Sequence, residues 1–268
     1  MPVDSSLILT SIRNPWIKQL RQLQRKKGRR EQGYFVVEGT HALQEAIATG
    51  WPLSAICFTP QWLEKSGQLL DNIENGVRQQ LVGNEVLAAI ASTQAPDGVV
   101  TICHHRESQA EKKFPTLGIA VETLQDPGNL GTLIRSAAAV DCDGIWLSAD
   151  SVDPENPKVL RSSAGQWFRQ PPIVTDLPTW LQNCRQHGVR VLAATAGTSD
   201  IPASSMWNVD LTLPAVFLLG NEGAGLSPEL RSLADGTIAI PMAAGVESLN
   251  VGIAGSLLLY EAKRQRQL

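Results

Sequence analysis

The chain reads as two consecutive α/β domains, a small one followed by a larger one built on a parallel sheet. Three observations lead there. Short apolar strands alternate with helical patterns along nearly the whole length. The strands of the second half are continuous apolar runs, as in parallel sheets covered on both faces. A length of 268 residues also exceeds the usual single core of ~100 to 200 residues. With 43% hydrophobic and 18% charged residues, disorder, collagen and coiled coil are excluded as the main architecture.

Asn14 followed by Pro15 reads as a helix cap and first-turn proline, and Ile17, Leu20 and Leu23 recur at helical spacing. Residues 15–27 are therefore predicted to form one basic amphipathic helix, ended by Gly28. YFVVEG follows as a strand, THALQEAIATG as a helix closed by Gly50, SAICFT as a strand and PQWLEKSGQLL as a helix. VRQQLVG, NEVLAAIAST and DGVVTIC complete the first domain as strand, helix and strand, over residues 1–104. HHRESQAEKKFP is charged, lacks apolar periodicity and ends in Pro115, so residues 105–116 read as a linker.

The second domain, 117–268, restarts the alternation. LGIAVETL is a strand, QDPGN a turn and the stretch through LIRSAAAV a helix. GIWLS is a strand and PKVLRSSAG the centre of a helix. VRVLAATAG, AVFLLG and TIAIP are further strands, and the last helix runs from about Leu249 to Arg264. No internal repeat or low-complexity tract is visible.

No apolar run approaches the ~18 residues that span a bilayer, and the start lacks the layout of a signal peptide, so the chain is expected in the cytoplasm. Cys57, Cys103, Cys142 and Cys184 stand far apart without a C-x-x-C pair, which predicts buried thiols rather than a zinc cluster or disulfide framework. His104 and His105 beside Cys103 have no second ligand pair in sequence reach, and no metal is expected. The formal net charge is −3. Residues 1–35 nevertheless carry eight cations against Asp4 and Glu31, a surplus of six that leaves the remainder nine negative. Taken alone, such a run reads as a solvated helix face; on an acidic body it also suits phosphate contacts.

Three polar, glycine-rich segments sit directly after or beside strands of the second domain: DPGNLGTLIRSA (126–137), LLGNEGAGL (218–226) and IPMAAGVESLNVGIAG (240–255). Ligands in open α/β sheets bind beyond the carboxyl ends of strands, so three such loops point to one site. Each glycine group on its own is equally well explained as turn chemistry. No phosphate-binding G-x-x-x-x-G-K-[ST] occurs, and Glu222 stands where a phosphate cradle wants no negative charge. Acidic and amide side chains over exposed backbone suit a neutral or cationic ligand with an adenosine part. S-adenosylmethionine, a sulfonium, fits that description.

N-x-G-x-x-x-R, G-N-E-G-x-G-L and S-L-N-V, in this order and spacing across residues 117–266, resemble motifs one, two and three of the SpoU family of RNA ribose 2′-O-methyltransferases, within the knotted SPOUT class. The basic helix and small α/β domain resemble, more loosely, the ribosomal-protein-like substrate-binding domain that many members carry. One departure is Gly252, where many relatives have serine. The resemblance implies a deep trefoil knot, a homodimer through the C-terminal domain, S-adenosylmethionine as donor and RNA as substrate, ribosomal RNA ahead of tRNA. It implies donor contacts at Gly220, Ile240 and Leu249, and by neighbourhood at Thr195, Gly197, Leu219 and Met242. Catalysis would rest on Asn129, Arg135, Glu222, Ser248 and Asn250.

If its helix began near Leu130, Arg135 would share the RNA-facing end of the pocket with Asn129. The family's proposals let it activate the hydroxyl, but a guanidinium is a poor base, so phosphate clamping and hydroxyl orientation come first. Asn250 and Ser248 open the last helix and can also cap it. Glu222 is expected either to orient its loop by accepting backbone N–H bonds, ranked slightly ahead, or to lie near the sulfonium, with Asn221 supporting the same turn. Arg21, Arg25, Lys26, Lys27, Arg29 and Arg30 become candidate RNA phosphate contacts. Two rivals remain: a knotted RNA-binding or ribosome-assembly factor without catalysis, against which the intact polar set argues, and a base-methylating relative, against which the Asn129/Arg135 pair with S-L-N argues.

Overall fold

The structure, a computed structural model, describes residues 8–106, 114–195 and 203–267. The chain divides into two compact units, each with its own sheet.

The basic segment is broken into two helices rather than one, α1 (Pro15–Gln22) and α2 (Lys26–Gln32). Asn14 caps α1 as expected, accepting from the Trp16 N–H at 2.9 Å. Gly28, expected to end the helix, lies inside α2 instead. A β-carbon there would stand 2.1 Å from the Gln22 carbonyl oxygen, so only glycine lets α2 fold back onto the end of α1.

The first unit continues through β1 (Tyr34–Glu38), α3 (Thr40–Ala48), β2 (Leu53–Phe58), α4 (Pro60–Ser66), β3 (Arg78–Leu81), α5 (Asn84–Ile90) and β4 (Val99–His104). The four strands are ordered β1-β4-β2-β3, with β2 and β3 parallel and β4 antiparallel to both its neighbours. Side-chain alternation splits the core across the sheet. Ala55 and Cys57 pack with Ile17, Leu20, Val86 and Ile90, while Ile56 and Phe58 pack with Leu43, Trp62 and Leu70.

The second unit begins with β5 (Leu117–Val121), α6 (Pro127–Val140) and β6 (Gly144–Leu147). The sequence pattern places the next helix, α7 (Pro157–Ser162), in this unit, but the stretch Glu155–Phe168 clusters with the first. There Glu155 meets His105 at 2.9 Å and the buried Arg29 at 4.0 Å. Trp167 packs its ring 4.9 Å from Phe35 and 5.1 Å from Trp51. The second unit resumes with β7 (Ile173–Val174), α8 (Leu177–Gln186), β8 (Arg190–Ala194), β9 (Ser204–Ser205), β10 (Ala215–Leu219), α9 (Pro228–Ser232), β11 (Gly236–Ala239) and α10 (Val251–Arg266).

As predicted, this sheet is parallel throughout, in the order β7-β6-β5-β10-β8-β11-β9. Central β5 and β10 are buried at every residue. One face is covered by Leu177, Leu181 and Cys184 of α8 and by Leu230 of α9; α10 packs with α6 and reaches β5 and β10. The strand order sets the ends of β5, β10, β8 and β11 side by side, which gathers the loops that follow them. Two-residue β7 and β9 carry little pattern, whereas α8, capped by Asp176 with Leu177, Leu181 and Cys184 on one face, has a helical signal that the strand-and-loop reading of this stretch passes over.

All four cysteines are free and buried. Burial pushes the Cys57, Cys142 and Cys184 thiols up to about 12, and Cys103 in the same direction. Among the described residues, no helix is long and apolar enough to cross a membrane, and no group of three or more His, Cys, Asp or Glu side chains is arranged to hold a metal.

Candidate active site

A cavity of about 550 Å³ opens beyond the carboxyl ends of β8, β10 and β11, the position at which parallel α/β sheets bind ligands. Thr195, Leu219, Gly220, Ile240, Met242 and Leu249, all expected donor contacts, line it. Gly197 lies outside the described residues. Glu222, Ser248 and Asn250 of the expected catalytic set line it as well.

The loop after β10 is folded tightly on itself. Asn221 and Gly225 exchange two backbone hydrogen bonds of 3.0 Å. The Asn221 side-chain oxygen accepts from the N–H groups of Gly223 and Ala224 at 2.9 and 3.0 Å. Asn221 thus supports the turn, as read from the sequence. Gly220 is where the backbone doubles back: an added β-carbon would lie 2.2 Å from the Gly225 carbonyl carbon and 2.4 Å from the Leu226 nitrogen.

Asn129 does not line the cavity but ties its residues together. Asp126 caps α6 through the Gly128 and Asn129 N–H groups, and Pro127 occupies the first helical position, so Asn129 sits third in the first turn. Its Nδ2 donates to Glu222 Oε1 at 3.1 Å, and its Oδ1 accepts from Asn250 Nδ2 at 2.8 Å. Asn250 Oδ1 meanwhile caps α10 through the Gly252 and Ile253 N–H groups at 2.9 and 3.2 Å. One side chain therefore serves cap and cluster together. Glu222 also accepts from the Asp126 N–H at 3.4 Å, which ties the β10 loop to the start of α6. Gly252, the departure from the family's serine, is crowded: a β-carbon would meet Thr132 Cβ at 3.2 Å and the Asn129 carbonyl at 3.3 Å. A serine here needs α6 and α10 to separate slightly.

Arg135 does not join this cluster. Because α6 begins at Pro127 rather than near Leu130, the six residues from Asn129 advance ~9 Å along the axis and turn the side chain ~120° away. Arg135 is exposed on α6 and, among the described residues, has neither an ion pair nor a hydrogen bond. Arg231 and Glu247 line the cavity without having been anticipated. Arg231 donates to the Leu226 carbonyl at 3.0 Å and is, among the described residues, the only cation of the lining. Its one available signal was the Ser227-Pro228 helix start, which sets position 231 one turn below the loop.

In the first unit, Arg21, Arg25, Lys26, Lys27 and Arg30 are exposed, with Lys27 3.7 Å from Glu31. Arg29 is not: it is 3% exposed, and its Nη1 donates to the Leu23 carbonyl at 2.9 Å. It is a structural cation that closes the α1–α2 turn, which corrects its assignment as a phosphate contact.

Two family models cover the chain: the SpoU rRNA Methylase family over residues 116–260 and the MRM3-like substrate binding domain over residues 14–101. A curated relative from Synechocystis, an uncharacterized tRNA/rRNA methyltransferase, is 44% identical over 99% of this chain and 97% of its own. A 23S rRNA (uridine(2479)-2′-O)-methyltransferase of Streptomyces viridochromogenes is 31% identical over 95% of this chain and 91% of its own. Among solved structures, an AdoMet-bound rRNA methyltransferase from Sinorhizobium meliloti superposes with a TM-score of 0.84 at 31% identity, over 96% of this chain and 97% of that one. The chain belongs to the SpoU rRNA methylase family.

Proposed function

We propose that this protein transfers a methyl group from S-adenosylmethionine to a ribose 2′-hydroxyl of ribosomal RNA. The observation that carries the reading is the cluster Asn250–Asn129–Glu222, which joins all three motifs beside a cavity at the sheet's carboxyl edge. The cavity suits the donor. Leu219, Leu226, Ile238, Ile240 and Leu249 offer apolar walls for an adenine, and Glu222 and Glu247 offer negative charge for a cationic sulfur. When bound, S-adenosylmethionine supplies an electrophilic methyl carbon.

The chain's own part is positioning. The acceptor oxygen must be held about 3 Å from the methyl carbon, opposite the sulfur, and a site that fixes this geometry removes much of the barrier. The amide chain of Asn250 and Asn129 holds Glu222 in one orientation at the mouth. Ser248, also in the lining, is available to the ribose. Arg135, exposed on α6, takes the RNA side by clamping a phosphate and orienting the hydroxyl.

Several further points belong to the same proposal. The segment 240–250 passes along the cavity before α10 returns to α6, β5 and β10, a path that supports a trefoil knot. Ile253, Leu257 and Tyr260 form a stripe on α10 that is 50%, 39% and 54% exposed; such a face supports a homodimer through the C-terminal domain. We assign residues 1–104 to RNA binding, residues 117–268 to catalysis, and the whole to the cytoplasm. Ribosomal RNA is preferred to tRNA because the Streptomyces relative is named for a 23S rRNA uridine.

Incubation with tritiated donor and total RNA from a strain lacking the protein should label ribosomal RNA at one ribose. Label on a base, or none, overturns the assignment. The basic surface has its own test. Replacing Arg21, Lys26 and Lys27 by Gln should weaken RNA binding evenly across sequences and reduce the magnitude of the log-affinity versus log-salt slope by roughly 0.7 to 0.9 per lost contact. Donor affinity should stay unchanged. A slope equal to that of the unmodified protein would make these charges a solvated face.

A further inference from the structure

Thr123 belongs to none of the three motifs, yet it carries a backbone conformation that its side chain disfavours. Three non-glycine residues among those described have positive φ: Thr123 at 52°, Asp141 at 60° and Ala164 at 49°. Asp141 is the left-handed cap that ends α6, and Ala164 leads into a turn with Gly165. Thr123 alone is β-branched, the residue type least suited to this region. It sits in the loop between β5 and α6, two residues past the end of its strand.

Every polar atom of Thr123 is engaged. Its N–H donates to Ser148 Oγ at 2.7 Å, its Oγ1 donates to Asp150 Oδ2 at 2.6 Å, and its carbonyl accepts from Asn221 Nδ2 at 2.8 Å. Ser148 Oγ donates in turn to Asp150 Oδ1 at 2.6 Å, and these two hydroxyls hold the Asp150 carboxyl below the usual carboxylate range. The next residue is fixed too, with the Leu124 N–H on Ser151 Oγ at 3.1 Å. An unfavourable backbone held from three sides is the pattern expected where orientation matters to function.

What it orients is the Asn221 side chain, whose oxygen holds the Gly223 and Ala224 amides and so shapes the loop that carries Glu222. We propose that Thr123 is a positioning residue for methyl transfer: its left-handed backbone, locked by Ser148 and Asp150, aims its carbonyl at Asn221 and thereby sets Glu222 against Asn129. The inference rests on the methyltransferase reading and adds a residue that the motifs do not contain.

Three substitutions separate the direction of the carbonyl from the side chain that holds it. Thr123→Val keeps the branched shape but loses the bond to Asp150, so the backbone should relax to negative φ; kcat should fall about 10-fold or more, with donor Kd weakened by a smaller factor than kcat, because Asn221 and Gly223 also line the cavity. Thr123→Ser keeps the hydroxyl, and Thr123→Gly adopts positive φ freely; both should retain kcat within about 3-fold. Amide hydrogen exchange at Gly223 and Ala224 should quicken in the Val variant only. The proposal is overturned if Val keeps full kcat and slow exchange, if Val and Gly lose kcat equally, or if the loss in Val matches a lowered fraction folded. If the unmodified protein transfers no methyl group to RNA, the methyltransferase reading fails, and the exchange measurement alone decides whether Thr123 positions the loop.

Discussion

Gly220→Ala should abolish donor binding. The constraint is space, because Gly220 is not among the positive-φ glycines. The added methyl would stand 2.2 to 2.5 Å from the carbonyl carbon and oxygen of Gly225 and the nitrogen of Leu226, all backbone atoms that cannot rotate away. The paired hydrogen bonds between Asn221 and Gly225 must then break, and the lining from Leu219 to Leu226 opens. Calorimetry should find the Kd for S-adenosylmethionine or its demethylated product weakened by about 100-fold or more, near 3 kcal/mol. Gly223→Ala is the matched control. Its nearest new contact is the Asn221 side-chain oxygen at 3.6 Å, an ordinary packing distance, and it should bind within about 3-fold of the unmodified protein. Equal affinity in the two variants would mean that the donor does not occupy this loop.

Asn129→Ala should separate turnover from donor affinity. Removing this amide leaves Asn250 Nδ2 without its acceptor and leaves Glu222, among the described residues, with only the long bond from the Asp126 N–H. A misplacement of the order of 1 Å at a reacting site costs about 100-fold in rate, and that is the expected fall in kcat. Donor Kd should move by less than about 3-fold, since Asn129 is not part of the cavity wall. In a double-mutant cycle with Glu222→Gln, the second substitution should cost much less than it does alone, as expected of groups acting as a unit. Additive effects, or a Kd that weakens in step with kcat, would show that the two residues work separately.

Much of this site is legible in the sequence. Asp126-Pro127, Asn250 and the glycines of 220–225 are local signals: a cap, a first-turn proline and a doubled-back loop have the same sequence requirements in any fold. The continuous apolar runs of β5 and β10 announced a sheet buried on both faces. What stayed hidden depended on partners distant in sequence. The direction of Arg135 turned on three residues of helix start. Arg29 looked like one more exposed cation, because nothing in its own neighbourhood reveals that Glu155 and the Leu23 carbonyl wait for it. Thr123 was invisible because threonine is a poor marker for a left-handed turn; only Ser148, Asp150 and Asn221 together impose it. Two-residue strands such as β7 and β9 are too short to have a period at all.

The excursion of Glu155–Phe168 bears on how the molecule can be dissected or recombined. A gene piece ending near residue 104 would encode the first sheet without Trp167 and Phe168, leaving Phe35 and Trp51 facing solvent and Arg29 without its carboxylate. The complementary piece would carry the same aromatic segment with no seat for it. Exchange of substrate-binding modules between relatives by a single crossover in the linker should therefore give poorly soluble chimaeras, whereas a transplant that moves 155–168 along with the first unit should fold. The boundary between these two domains is a property of the folded chain and cannot be marked by one cut in its sequence.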